Sequence, residues 1–315
     1  MEVFLHSVAG VLVILVMIVL GYILTERNWF DENSGRLIAR LVTQVALPCY
    51  MIITITHKFS AGQLLKMIPD LRYPVISMMI LMLLAFAFVQ LFHIKNEHAG
   101  LFSSMFFNSN TVFVGLPINE ALFGSPSVPY VLVYYMANTT IFWTIGTYLI
   151  QRDGTADASF SWKKTLGKIF SPPLLGFILG VILVLLKIQL PSFIDSDLQY
   201  IGDLTIPLSM IFIGYSISHA GLSKLAFGKD NLLVLSGRFL FAPLLMTLLV
   251  IPASMPTLMK QVFILQSAMP VMTNAPVVAS LYGADADYAA IMVTETTILS
   301  LVMVPILMVL TQTIN

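Results

Sequence analysis

The sequence predicts an all-α polytopic membrane protein of ten transmembrane helices, and three observations lead there. Of 315 residues, 58% are hydrophobic and only 10% charged, with a mean hydropathy of +0.90. A water-soluble domain carries charge on about a quarter of its residues. Residues 8–24, 73–92, 232–251 and 291–310 are long, predominantly apolar stretches. Each can cross a hydrocarbon core of about 30 Å, for which a helix needs about 20 residues. Finally, one motif pattern returns at a constant offset near half the chain length, the distance from Pro48 to Pro207.

Reading apolar runs against polar breaks gives spans at 3–24, 34–56, 73–93, 99–123, 128–150, 172–188, 198–218, 231–251, 258–282 and 286–310. The first is expected to remain in the mature chain, because no Lys or Arg precedes it and residues 21–27 lack a small-x-small cleavage pattern. The longest polar connection, 151–171, reads as a cytoplasmic linker between a first unit, 1–150, and a second, 172–315. Lys and Arg set the orientation. With the N-terminus outside, Arg27, Arg36, Lys95, Arg152, Lys163, Lys164, Lys168, Lys224 and Lys229 fall on the inner face. Lys58, Lys66, Arg72, Lys187 and Lys260 fall on the outer. That bias places both termini outside a cell membrane.

The repeat supplies the architecture. Leu47-Pro48-x-x-Met51-Ile52 returns as Ile206-Pro207-x-x-Met210-Ile211, and Gly21 and Gly62 return as Gly180 and Gly221. Leu116-Pro117 and Leu122-Phe123-Gly124 return as Ala275-Pro276 and Leu281-Tyr282-Gly283. Each half then holds five spans, an odd number, so the second half enters the membrane inverted. Inverted repeats are the architecture of secondary transporters, whose halves exchange conformations to open one site to alternate sides.

The fourth span of each half is the unusual one. Asn108, Asn110, Thr111, Gly115 and Pro117 in one, and Pro270, Thr273, Asn274 and Pro276 in the other, lie where a spanning helix should be most apolar. Proline removes a backbone donor and clashes with the carbonyl four residues earlier. Unpaired backbone survives at membrane depth only inside protein or against a watery cavity. Two broken helices are therefore expected, their positive N-terminal half-ends suited to an anion. These nine residues are the candidate substrate site. Pro48 and Pro207 are candidate hinges, or simple kinks. Arg238 and Glu295 lie at equal depth within their spans. A lone charge there costs at least about 2.5–3.5 kcal/mol, so three readings stay open: an ion pair that fixes packing, anion attraction by Arg238, or proton coupling by Glu295. Arg40, Gln44 and Asp203 lie near span ends and are expected to be solvated.

Other chemistries find little support. Zero net charge does not suggest nucleic acid, and the single Cys49 rules out an internal disulfide. The five histidines fall at or near span ends, so no metal site is expected. Asp285-x-Asp287 reads as an inner turn with a capping Asp. No phosphate-binding loop, no HExxH and no paired acids or Ser/His/Asp set stand out, so neither an enzyme nor an ATP-driven pump is expected, and no cofactor.

At Asn110-x4-Gly115-Leu116-Pro117, Asn274-Ala275-Pro276 and Leu47-Pro48, and over essentially its whole length, the chain resembles the auxin efflux carrier family. The short central loop is similar to the bacterial branch of malate and malonate permeases. The resemblance implies a sodium/proton antiporter-like, bile-acid symporter-like fold. Its two inverted five-helix repeats would cross at the breaks of helices 4 and 9 beside the substrate. Helices 1, 2, 6 and 7 would form a scaffold, with a homodimer possible through it, and helices 3–5 and 8–10 would move. The implied cargo is a small organic anion, with a malate-like dicarboxylate foremost. A sodium- or proton-coupled carrier of another solute, or a ligand-sensing receptor, are the alternatives.

Overall fold

The computed structural model describes residues 15–154, 170, 172–221 and 228–311. Among the described residues there is no strand. The apolar runs coil into helices, which satisfy every interior backbone group within one segment. In chain order these are α1 Leu15–Glu26, α2 Asn33–Lys58 and α3 Ala61–Leu91. The sequence between Ala99 and Phe123 divides into α4 Ala99–Phe107 and α5 (111–123). Next come α6 (128–153), α7 Pro172–Leu185, α8 Ser192–Gly202, α9 Thr205–Ala220 and α10 Lys229–Val250. The last three are α11 Thr257–Ser267, α12 Ala275–Tyr282 and α13 Ala286–Thr311. Five helical runs are long and apolar enough to cross a membrane: α2, α3, α10, α13 and the α8–α9 run Ser192–His219.

Prolines shape these helices through widened turns. π turns at Val42–Ala46, Thr111–Gly115 and Gly237–Phe241 are each followed, two residues on, by Pro48, Pro117 and Pro243. The widened turn sits where the ring would otherwise meet the carbonyl of the preceding turn, so the helix bends without ending. Pro48 thus lies inside a continuous α2. Pro207 differs: α8 stops at Gly202, the chain turns through Asp203 and Leu204, and Pro207 falls in the first turn of α9. The third helix also starts earlier than the sequence pattern suggests. Ser60 and Gln63 form a reciprocal cap, and a short 3-10 turn at Ile68–Leu71 accommodates Pro69.

The helices pack in two groups. In one, α1, α2, α7, α8 and α9 approach closely at small residues. A Cβ on Gly176 of α7 would lie 2.6 Å from the Pro48 carbonyl, and one on Gly214 of α9 would collide with the backbone of α1. The other group shares the largest apolar core, built from α3, α4, α6, α10, α11, α12 and α13 around Met78, Phe102, Phe106, Phe142 and Phe263. Between the groups, α5 packs Val114, Ile118 and Leu122 against Ile18, Met210 and Met269, and packs Val112 and Leu116 against Leu47 and Met51. Many large apolar side chains face outward, Leu83 at 63% and Leu248 at 63% exposure among them. Lipid, which is as apolar as a core, is the solvent that suits such a surface.

Candidate functional site

Both tracts singled out in the sequence are breaks, and they touch. Residues 108–110 separate α4 from α5, and residues 268–274 separate α11 from α12. Where they cross, the Asn110 N–H donates to the Pro270 carbonyl at 2.8 Å. Asn108 and Asn110 leave helical geometry, with φ −96°, ψ 143° and φ −81°, ψ 75°. The backbone groups released here lie away from water and need partners.

Three side chains from neighbouring helices provide them. Asn138 of α6 brackets Ser109: its Oδ1 accepts from the Ser109 N–H at 2.9 Å, and its Nδ2 donates to the Ser109 carbonyl at 2.8 Å. Thr296 of α13 accepts from the Val271 N–H at 3.0 Å. Arg238 of α10, only 1% exposed, serves both breaks. Its guanidinium donates to the carbonyls of Phe106 (3.2 Å), Ser267 (2.5 Å) and Met269 (3.0 and 2.9 Å). Those carbonyls lie at the C-terminal ends of α4 and α11, where the helix dipoles are negative. One fixed cation therefore neutralises both negative ends.

This corrects the pairing that equal depth allowed between Arg238 and Glu295. The guanidinium is committed to backbone carbonyls, while Glu295 (3% exposed) accepts from Asn231 Nδ2 at 2.9 Å. Backbone carbonyls are acceptors on every residue, so a comparison of side-chain charges overlooks them.

The positive ends are treated differently. Asn110 caps α5 through Oδ1, which accepts from the Phe113 N–H at 3.1 Å. Its Nδ2 is buried and has no protein partner. Asn274 stands at the start of α12 and gives that helix no side-chain cap. Asn110, Thr111, Thr273 and Asn274 all line one cavity of about 310 Å³, with Gln44 and Tyr135 opposite. It adjoins a wider one of about 770 Å³ that shares Thr43, Phe113, Thr273 and Asn274 and also includes Pro276. Arg36, Arg40 and His219 line this outer part. Rings of Phe113, Phe212, Tyr215 and His219 stack in succession along it at 5.3, 5.9 and 5.4 Å.

The remaining candidates take supporting positions. Asn108 lines neither cavity; its Nδ2 turns back to the Ser104 carbonyl at 3.2 Å. Gly115 gives room to Gln266, whose amide a Cβ would strike, and Gln266 Nε2 reaches the Thr111 carbonyl at 3.4 Å. Pro117 follows the π turn of α5, and Pro270 supplies the carbonyl of the crossing contact. Arg40 and Gln44 are exposed, as expected, and each lines one of the two cavities. Asn138, Thr296 and Gln266 escaped the sequence reading. Their signal was a short polar run inside an otherwise apolar span, whose members must find buried partners.

Taken together, the fold and crossing define a helical membrane carrier, and the comparisons agree. A family model described as "Membrane transport protein" matches residues 6–308, so the chain belongs to that family, the auxin efflux carrier family. It is 27% identical over 301 residues to an uncharacterised transporter of Methanocaldococcus jannaschii, covering 93% of this chain and 95% of that one. A second uncharacterised transporter, from Methanothermobacter thermautotrophicus, is 28% identical over 312 residues, with 96% and 98% covered.

Proposed function

We propose that the chain is a ten-span carrier with two inverted repeats that moves small organic anions by alternating access, binding them where the two breaks cross. The observation that carries this reading is the Asn110 side-chain amide: a buried donor without a protein partner, on a residue that lines a cavity where two helices begin. A buried donor left unmade costs about 1–3 kcal/mol, so an acceptor on the cargo is its natural complement. With the negative helix ends neutralised by Arg238, the positive ends dominate the cavity field. Arg40, which lines the wider cavity, draws an anion toward it. A cavity of about 310 Å³ favours a small cargo, a malate-like dicarboxylate first. The division into packed groups supports a scaffold of α1, α2 and α7–α9, against which the other helices move as one body. Such a scaffold also offers a surface for a homodimer.

The test is calorimetry and thermal stabilisation of purified protein against a panel of mono-, di- and tricarboxylates. Ligand at 100 times its dissociation constant should add about 2.7 kcal/mol. Asn110→Ala and Asn274→Ala should each weaken binding by about 1–3 kcal/mol, the range for a hydrogen bond to a charged group. Unaltered binding in both folded variants refutes the site.

A further inference from the structure

A third chamber lies at the end of α2 opposite Arg36. Tyr50, Thr54, His57 and Lys58 of α2 line it, about 230 Å³ in volume, with Glu120 of α5, Ser125, Gln199 of α8 and Asp203. Leu47 lines the central cavity and Tyr50 the far chamber. Three residues of helix, about 4.5 Å of rise, separate the two. Packed side chains of Leu47, Met51, Val112 and Leu116 lie between α2 and α5 there, and on the far-chamber side the Tyr50 hydroxyl ties the two helices by donating to Glu120 Oε2.

The two partners belong to different parts of the molecule. Tyr50 is 6% exposed and pinned from behind by α8, where a Cβ on Gly202 would stand 3.0 Å from its backbone. Glu120 rides on α5, which restarts at the crossing and packs between the helix groups. Any movement of α5 against α2 that joins the central cavity to the far chamber must break this contact.

We propose that the Tyr50–Glu120 contact is the gate on the far side of the substrate cavity, and that Glu120 is a proton-binding site that controls it. While the carboxylate is ionised, the bond is charge-assisted and about twice as strong as a neutral one. A proton taken up from the far chamber removes the charge, weakens the contact and lets α5 part from α2. The charged or titratable groups that line the chamber with Glu120 are Tyr50, His57, Lys58 and Asp203. His57 is held by Asp195 at 2.8 Å, and Asp203 by Gln199 Nε2 at 2.6 Å. No charged residue or histidine of α6, α9 or α11, which also pack on α5, lines this chamber. Glu120 is thus the carboxylate that the chamber places against the other helix group.

The test needs no knowledge of the cargo. In a Cys49→Ser background, spin labels at Pro126→Cys and Ser196→Cys flank the chamber, and electron–electron distances are measured in lipid nanodiscs at mildly alkaline and mildly acidic pH. Acidification of the parent should populate a longer distance. Glu120→Gln should show that longer distance at both pH values, and so should Tyr50→Phe, which keeps the ring and loses only the donor. A parent distribution indifferent to pH overturns the proton site. Distributions in both variants that match the alkaline parent overturn the gate.

Discussion

Arg238 donates four hydrogen bonds to carbonyls of two crossing segments, so its removal exposes more than a charge. Arg238→Met should cost about 3–5 kcal/mol, the range for breaking a buried charged network, as read by unfolding in mixed micelles. The double change Arg238→Met/Glu295→Gln should rescue nothing, because the two groups satisfy different partners. Their costs should add, as they do for sites that share no contact. Recovery in the double variant would restore the ion pair to the account. Asn138 makes a related case. Asn138→Ala leaves the Ser109 N–H and carbonyl unpaired, at about 1–3 kcal/mol for each group. Its cost in stability should exceed that of Asn110→Ala, which loses the single cap on the Phe113 N–H and whose larger effect should be on ligand binding. At this scale the sequence points to residues but not to their partners. Arg238 was evident as a charge in an apolar run, and Asn110 as an amide in one. Which acceptors they meet depends on α4 and α11 arriving from more than a hundred and about thirty positions away.

At the scale of the element, the breaks are written in residue types. Pro117, Pro270 and Pro276 each lack a backbone donor wherever the chain is placed, and the helices do part nearby. Pro117→Ala should let α5 run without its widened turn, and Pro276→Ala should strengthen the first turn of α12. Both proteins should melt at or above the parent temperature and carry substrate poorly. Fast uptake in either would separate the break from transport. What residue types leave open is the form of each break. Pro48 is absorbed by a π turn within a continuous helix, whereas Pro207 follows a full stop at Gly202. The same ring clash has several relaxations, and neighbouring helices select among them. Gly176, pressed on the Pro48 backbone, is one such neighbour. Gly176→Leu should therefore drive α7 from α2 and lower the melting temperature, whereas a leucine at open Gly62 should not.

For the whole molecule, the Lys/Arg bias of the sequence predicts an orientation with the N-terminus outside. In that orientation the Arg36–Arg40 mouth would lie on the inner face and the Tyr50–Glu120 chamber on the outer. A cysteine at Pro126 in the Cys49→Ser background should react with an impermeant maleimide applied to intact cells. Labelling only after the membrane is opened would invert the topology. Composition and hydropathy alone determined that this chain is helical and suited to a bilayer, because apolar length and the cost of bare backbone in lipid admit few other solutions. Its polar and proline-rich tracts marked where regular helix must fail. Tertiary structure alone decided that the two failures meet, and that Arg238 binds carbonyls and not Glu295. Those outcomes depend on the rotation of each helix about its axis and on the approach of distant segments. Packing sets both, and the order of residues along one helix does not encode it.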